Sequence, residues 1–142
     1  AAMLMTSASG SAPVGPGASD TLTVTADLAS VMQITLASML VNTNDAFTGT
    51  TGLDVSELAV GDSMNQALPI YDAGTEANDE MAGTIPGPAD GGEGFNAVRD
   101  DVDFVARHPG VVTQSDGYSS SVLDESHRFD SPIARLVVTR VK

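Results

Sequence analysis

Two short acidic turns are the part of this sequence best suited to chemistry. The first covers residues 42–45 and ends in Asp45, and the second covers residues 72–78 and carries Asp72 and Glu76. A flexible Ala-Gly-Thr bend separates Asp72 from Glu76, so both carboxylates can face one point. Asp45 can join them if the two turns lie at the same end of a sheet. Ca²⁺ selects hard oxygen ligands supplied by loops, and the three acids therefore form a candidate Ca²⁺ site.

The same residues have a simpler interpretation. Aspartate in a loop most often bonds its own backbone as an Asx-turn residue, and Asp45 and Asp72 fit that role as well. Residues 78–80 continue the acidic character, and a solvated turn is predicted there in preference to a second ion site. The only two histidines, His108 and His127, fall in different predicted loops and the chain has no cysteine. Each is predicted to be a surface or turn histidine rather than a transition-metal ligand.

Composition limits the classes of partner. The chain has 142 residues, enough for one ordinary domain. Nineteen acidic against six basic residues give a formal charge of −13, and every basic residue lies at or after Arg99. Such a field repels nucleic acid and anionic lipid, so we expect no nucleic-acid partner. No apolar stretch reaches the ~20 residues that a membrane-spanning helix needs, which predicts no transmembrane segment.

Alternation of apolar with polar or β-branched residues predicts strands. Residues 21–26 alternate threonine with Leu22, Val24 and Ala26, and residues 32–40 repeat the pattern more strongly. Weaker or later strands are expected at 53–55, 67–71, 104–106, 110–113 and 133–141, with turns at 42–45 and 48–52 and a Gly/Pro-rich loop at 83–94. No segment has sustained helical periodicity. The sequence therefore predicts an all-β antiparallel sandwich with long Gly/Pro-rich loops over residues 20–142, preceded by a flexible arm at residues 1–19.

Two motifs carry a resemblance to a known family. The run Ser-Met-Leu-Val-Asn-Thr-Asn-Asp-Ala-Phe at residues 38–47, followed by Tyr-Asp-Ala-Gly-Thr-Glu at residues 71–76, resembles the spondin N-terminal domain family of F-spondin and mindin type. The resemblance extends over residues 21–141. It implies a C2-like antiparallel sandwich and a Ca²⁺ ion held at Asp45, Asp72 and Glu76. Glu76 departs from the aspartate of mindin by one methylene group, which changes its reach.

The resemblance implies a secreted, non-enzymatic domain that binds an extracellular protein or a cell-surface ligand. A chain that starts at Ala1 rather than methionine fits a mature secreted product. No serine lies in a Gly-x-Ser-x-Gly motif, and no Ser, His and Asp set carries a local signature of nucleophilic chemistry. We therefore expect a calcium-binding domain that acts in extracellular adhesion or surface recognition rather than in catalysis.

An alternative function is self-assembly into an extracellular filament or matrix. Members of the family normally carry one or more strands upstream of the segment that matches Thr21, and here that place holds only the arm. A neighbouring copy's arm, with the apolar residues 1–5 on the tether of residues 7–19, would add to the open sheet edge and build a homopolymer. In the opposite case, the arm folds back and completes its own sandwich.

Overall fold

The computed structural model describes residues 6–26, 32–92, 95–99 and 103–142, and within them the regular elements are antiparallel strands and two short 3-10 turns. The all-β class predicted from the sequence is confirmed. Neither helical turn is long or apolar enough to cross a membrane. The strands are β1 (Gln33–Met39), β2 (Ala46–Asp54), β3 (Ser63–Leu68), β4 (Ile70–Asp72), β5 (Ala106–Arg107) and β6 (Ala134–Thr139), and the 3-10 turns are Gln114–Asp116 and Glu125–His127.

The strands form two antiparallel sheets. One has four strands in the order β1-β2-β4-β5, and the other pairs β3 with β6. β1 and β2 pair along their length with one register irregularity after Ile34. β3 pairs with β6 from Ser63 opposite Thr139 to Leu68 opposite Ala134. The second sheet is therefore built from segments that are far apart in the chain.

Pro69 marks the point at which the chain passes from one sheet to the other. Proline has no N–H to give to a ladder and commonly interrupts a strand. β4, which follows Pro69, pairs with residues 46–48 of β2. β3, which precedes Pro69, pairs with β6 in the other sheet. Within the described residues, residues 49–54 of β2 pair with β1 alone.

The diverging parts of β2 and β3 border an open groove of about 540 Å³, which we call the β2–β3 groove. A hydrogen bond from Gln66 Nε2 to Thr50 Oγ1 (3.1 Å) joins its two walls. A row of side chains crosses the neighbouring strands, with the Tyr71 ring stacked on Phe47 (5.4 Å between centroids) and the Arg107 guanidinium 4.8 Å from the Tyr71 ring centroid. The groove is lined by Gly49, Thr50, Thr51, Gln66, Ala67, Pro69, Tyr71, Arg107, Ser131 and Pro132.

The apolar core is small. Three of its side chains, Ala46, Leu68 and Ile70, come from the region where β2, β3 and β4 meet, and each is at most 3% exposed. Loops add Val55, Ile85 and Leu123. Apolar residues farther along the strands are only half-buried, namely Ile34, Leu36, Leu53, Met64, Leu136 and Val138. The two sheets therefore do not fully close the space between them.

Several predicted elements need correction. The turn predicted at residues 48–52 is wrong, because these residues continue β2 and its threonines pair with β1. The strand predicted at residues 67–71 is divided at Pro69, and residues 110–113 form no strand. The strand predicted at residues 21–26 is also absent, because these residues have no pairing partner in the described structure. The strands predicted at residues 32–40 and 133–141 are confirmed as β1 and β6.

The N-terminal arm is exposed over the part that the structure describes, residues 6–19. Its exposure continues through Thr25, well into the segment expected to be a strand. The apolar segment at residues 1–5 lies outside the described residues. The described part of the arm therefore contributes no buried side chain to the domain.

One side-chain hydrogen bond ties β2 to the chain at Pro69. Thr48 Oγ1 donates to the Pro69 carbonyl oxygen at 2.7 Å, and Thr48 is buried. Replacing Thr48 by the isosteric valine leaves that carbonyl without this donor, so we expect a loss of about 1–2 kcal/mol in the free energy of unfolding. Urea denaturation measures it, and the exposed Thr51→Val on the same strand is the control. Equal midpoints for the two variants would contradict the expectation.

Candidate metal centre

The loop that carries Asp45 is closed by its own hydrogen bonds. Thr43 Oγ1 donates to the Leu40 carbonyl oxygen (2.5 Å) and accepts from the Ala46 N–H (3.1 Å). The Leu40 N–H donates to the Ala46 carbonyl oxygen (2.9 Å), which completes the turn between β1 and β2. Asp45 is therefore held at the start of β2.

Pairing of β2 with β4 places the second acidic turn beside the first. Asp72, the last residue of β4, lies opposite Ala46, which follows Asp45. Asp72 Oδ1 accepts the Gly74 N–H (2.7 Å), as in an Asx turn. Asp72 Oδ2 accepts from Asn78 Nδ2 (2.5 Å). Asp72 thus has the local backbone role expected for an aspartate in a turn, and it lies within the acidic cluster as well.

The two oxygens of Asp45 have opposite environments. Oδ2 accepts three hydrogen bonds from the second turn, from the Thr75 N–H (2.6 Å), Thr75 Oγ1 (2.8 Å) and the Glu76 N–H (3.0 Å). Oδ1 is buried and has no hydrogen-bond partner among the residues that the structure describes. Asp45 as a whole is only 7% exposed. A buried carboxylate oxygen without a donor or a cation is unfavourable, so this atom is the feature of the site that needs an explanation.

All three predicted ligand residues are buried in the same pair of turns. Asp72 and Glu76 are each 4% exposed, and the Glu76 backbone is tied to Asp45 as described. Within the described residues, Asp45 and Asp72 form no ion pair with a basic side chain. Asp45 Oδ2 and both oxygens of Asp72 are thus met by backbone and side-chain donors of the described residues rather than by arginine or lysine.

His108 belongs to this cluster, although the sequence predicted only a surface or turn histidine. Its Nε2 lies 3.2 Å from Asn78 Oδ1, and its Nδ1 accepts the Gly110 N–H at 3.0 Å. These two contacts fit a neutral ring that carries its proton on Nε2 and donates it to Asn78. Burial lowers the pKa of His108, and the charges of Asp72 and Asp45 oppose this effect. The amide of Asn78 therefore links His108 to Asp72.

A second set of polar contacts joins the first turn to residues 79–84. Asn44 Nδ2 donates to Asp79 Oδ1 (3.2 Å), and Asn44 Oδ1 accepts the Glu80 N–H (3.3 Å). Glu80 is 3% exposed and its backbone φ is +49°, an unusual value for a residue other than glycine. The predicted solvated turn at residues 78–80 is therefore wrong for Glu80, because the contact with Asn44 draws it inside.

Burial raises the pKa of Glu80 to about 7, although the Val112 N–H donates to its Oε1 at 3.3 Å and lowers the pKa. The nearby charge of Asp79 adds to the increase. Sequence reasoning missed Glu80 and His108 because neither has a diagnostic neighbour in the chain. The contiguous acids at residues 79–80 were the one available signal.

The donor set suits a hard cation, since it consists of carboxylate, amide, hydroxyl and carbonyl oxygens. The orphaned Asp45 Oδ1 is an atom that such a cation would satisfy. In the arrangement that the described residues adopt, however, no three His, Asp or Glu side chains are gathered closely enough to hold a metal ion. The turns of Asp45, Asp72 and Glu76 are adjacent, but their carboxylates do not converge on one point.

Comparison with known proteins gives this chain no relative: no family model, no curated protein and no solved structure matches it, so the spondin resemblance rests on its two sequence motifs.

Proposed function

We propose that this chain is a calcium-binding, non-enzymatic β domain of a secreted protein, which acts in extracellular adhesion or surface recognition. One observation supports the calcium part above all. Within the described part of the chain, Asp45 Oδ1 is buried without a partner, while the other oxygen of the same carboxylate accepts three hydrogen bonds. The resemblance to the spondin N-terminal family supports the extracellular part.

In this proposal Asp45, Asp72 and Glu76 supply carboxylate oxygens to Ca²⁺. Ca²⁺ takes six to eight oxygen ligands in flexible geometry, and backbone carbonyls and water complete its shell. Three side chains gathered in advance are therefore not required. The ion supplies positive charge at the point where two acidic turns meet, and the turns supply oxygens that are already desolvated. Asp45 stays fixed through its Oδ2 contacts, and Asp72 and Glu76 adjust towards it.

Calcium binding here has a mechanical consequence for recognition. The turns at residues 42–45 and 72–78 leave neighbouring strands of one sheet, and a shared cation would hold them in one arrangement. Rigid loops lose less conformational entropy when they bind a partner. Because the domain carries a net charge of −13, we expect the partner to present a basic surface.

Thermal unfolding tests the calcium site. A ligand that binds only the folded state stabilises it, by about 2.7 kcal/mol at a concentration one hundred times Kd, which raises Tm by several degrees. We expect this increase for the wild type in Ca²⁺ relative to chelator, and its loss in Asp45→Asn. Asp62→Asn removes the same charge from an exposed position and should keep the full increase.

Mg²⁺ at equal concentration separates a site from general screening, because it demands near-octahedral geometry and gives up its water reluctantly. The calcium site would be ruled out if Mg²⁺ and Ca²⁺ raised Tm equally. It would also be ruled out if Ca²⁺ raised Tm equally in Asp45→Asn and Asp62→Asn. Retention of the labelled domain on intact cells, with and without Ca²⁺, tests the recognition role. If retention is the same with and without Ca²⁺, and the same for Asp45→Asn as for the wild type, recognition does not require the calcium site.

A further inference from the structure

Residues 21–26 have the composition of a strand, but they have no strand partner among the described residues. They read Thr-Leu-Thr-Val-Thr-Ala, in which every second residue is apolar. Leu22 is 45% exposed and Val24 is 47% exposed. Within the described structure, the one hydrogen bond of this segment is local, from the Thr21 N–H to Asp20 Oδ1 (2.8 Å). The segment therefore has the β-branched, alternating sequence of a strand but is not paired into either sheet of the described structure.

The same chain presents a place for an additional strand. Among the residues that the structure describes, β2 beyond Thr48 pairs with β1 on one side only, and β3 pairs with β6 on one side only. The free edges of these two strands border the β2–β3 groove. Unpaired edge N–H and C=O groups accept a strand from another chain readily.

Apolar side chains on both sheets are only partly covered. On β3 and β6, Met64 lies opposite Val138, and both are half-buried. On the other sheet, Ile34 lies opposite Leu53, and both are again half-buried. A strand that brings an apolar side chain at every second position would cover such side chains and gain hydrophobic burial.

We propose that residues 21–26 of one copy insert as a strand into the β2–β3 groove of a second copy. The lengths agree, because the donor segment, the singly paired residues 49–54 of β2 and the whole of β3 each comprise six residues. Leu22 and Val24 of the donor then lie on the face of β3 that carries Met64 and Gln66, towards the space between the sheets. The donor threonines lie on the opposite face, which carries the exposed Ala67. In its own chain the segment stays outside the groove, exposed from Thr21 to Thr25.

This contact is heterologous, since the donor segment and the groove are different surfaces of the chain. Repeated from copy to copy it produces an open filament rather than a closed dimer. Each copy carries a charge of −13, so electrostatic repulsion opposes assembly and monovalent salt should favour it. The inference does not depend on calcium, and assembly in chelator with added salt distinguishes it from the proposed calcium site.

Sedimentation velocity over a range of concentrations tests the donor segment. The wild type should form oligomers that grow with concentration and with salt. Val24→Lys places a charge on the inserted face and should raise the concentration needed for half-assembly by at least about tenfold. Val14→Lys makes the same exchange at an exposed position of the arm, outside the alternating segment, and should match the wild type.

Disulfide trapping tests whether the β2–β3 groove is the acceptor. It also shows whether the inserted segment comes from the same copy or from another one. The chain has no cysteine, so Thr23→Cys, on the outward face of the donor, in one copy and Ala67→Cys in a differently tagged copy introduce a single possible mixed pair. Oxidation of the mixture should give the mixed disulfide, whereas Val14→Cys mixed with Ala67→Cys should give it at background yield.

Three outcomes would overturn the inference. The first is a wild type that stays monomeric at every concentration and salt level. The second is a Val24→Lys variant that assembles like the wild type while circular dichroism shows it folded. The third is a chain carrying both Thr23→Cys and Ala67→Cys that oxidises within itself as a monomer, because the segment then fills its own groove.

Discussion

Replacing Gly74 with alanine is expected to destabilise the domain by about 2–5 kcal/mol. Gly74 has a backbone φ of +69°, where a Cβ atom costs about 1–2 kcal/mol. A Cβ at this position would also lie 2.7 Å from the backbone N and O of Phe104, and such overpacking costs about 1–3 kcal/mol more. Because Gly74 lies between Asp72 and Thr75, the same change should weaken any Ca²⁺-dependent stabilisation.

Gly61→Ala is the matched control for this substitution. Gly61 has a φ of +91°, and no atom lies within 4 Å of an added Cβ. It should therefore show the backbone cost alone, about 1–2 kcal/mol. Chemical denaturation gives both values. If Gly74→Ala lowers the free energy of unfolding no more than Gly61→Ala does, the second acidic turn is not closely packed against Phe104.

Glu80 is expected to make the domain less stable as the pH rises from about 4.5 to about 7. The pKa of Glu80 is raised from 4.5 to about 7 in the folded state, so the folded state holds a proton that the unfolded state has released. The stabilisation from that proton is complete below pH 4.5 and is lost as the pH passes through 7. At about 1.4 kcal/mol per pKa unit, the change is about 3 kcal/mol.

Glu80→Gln should remove most of this slope, because glutamine keeps an oxygen for the Val112 N–H and carries no charge. At pH 8 the variant should be more stable than the wild type. Urea midpoints across pH 4.5–8, measured in chelator, give the comparison, and Glu57→Gln at an exposed position should leave the slope intact. A wild-type midpoint that stays constant over this range would show that Glu80 is not held protonated.

Strands whose pattern and pairing agree were predictable. The alternation in residues 32–40 and 133–141 led to β1 and β6, since both segments find partners in this chain. The same pattern in residues 21–26 led to a wrong prediction, because periodicity specifies a strand but does not supply its partner. Residues 48–52 looked like a turn because of Gly49 and Gly52. An added Cβ at Gly49 would lie 2.2 Å from the Leu36 carbonyl oxygen, so that glycine permits close approach of β1 rather than a turn.

The candidate site was predictable in outline only. The residue types of Asp45 and Asp72 and their place at the ends of apolar runs indicated adjacent turns, and the β2–β4 pairing places those turns side by side. The three donors to Asp45 Oδ2 come from residues about thirty positions away, and their geometry depends on strand register and on the bend at Gly74. The buried Glu80 contacts Asn44, which lies 36 positions earlier in the chain, so the sequence around Glu80 does not predict this contact.

The pairing of β3 with β6 has a consequence for how this chain folds. Ser63 and Thr139 are 76 positions apart, and a hydrogen bond joins their hydroxyl groups at 2.6 Å. Loop closure over such a distance costs more entropy than closure of the short turn between β1 and β2, and non-local pairing of this kind is slow. During synthesis the β1–β2 hairpin can form long before β6 leaves the ribosome. Until β6 is available, both edges of β3 are unpaired. We therefore expect β3 to be the segment through which the nascent chain aggregates most readily.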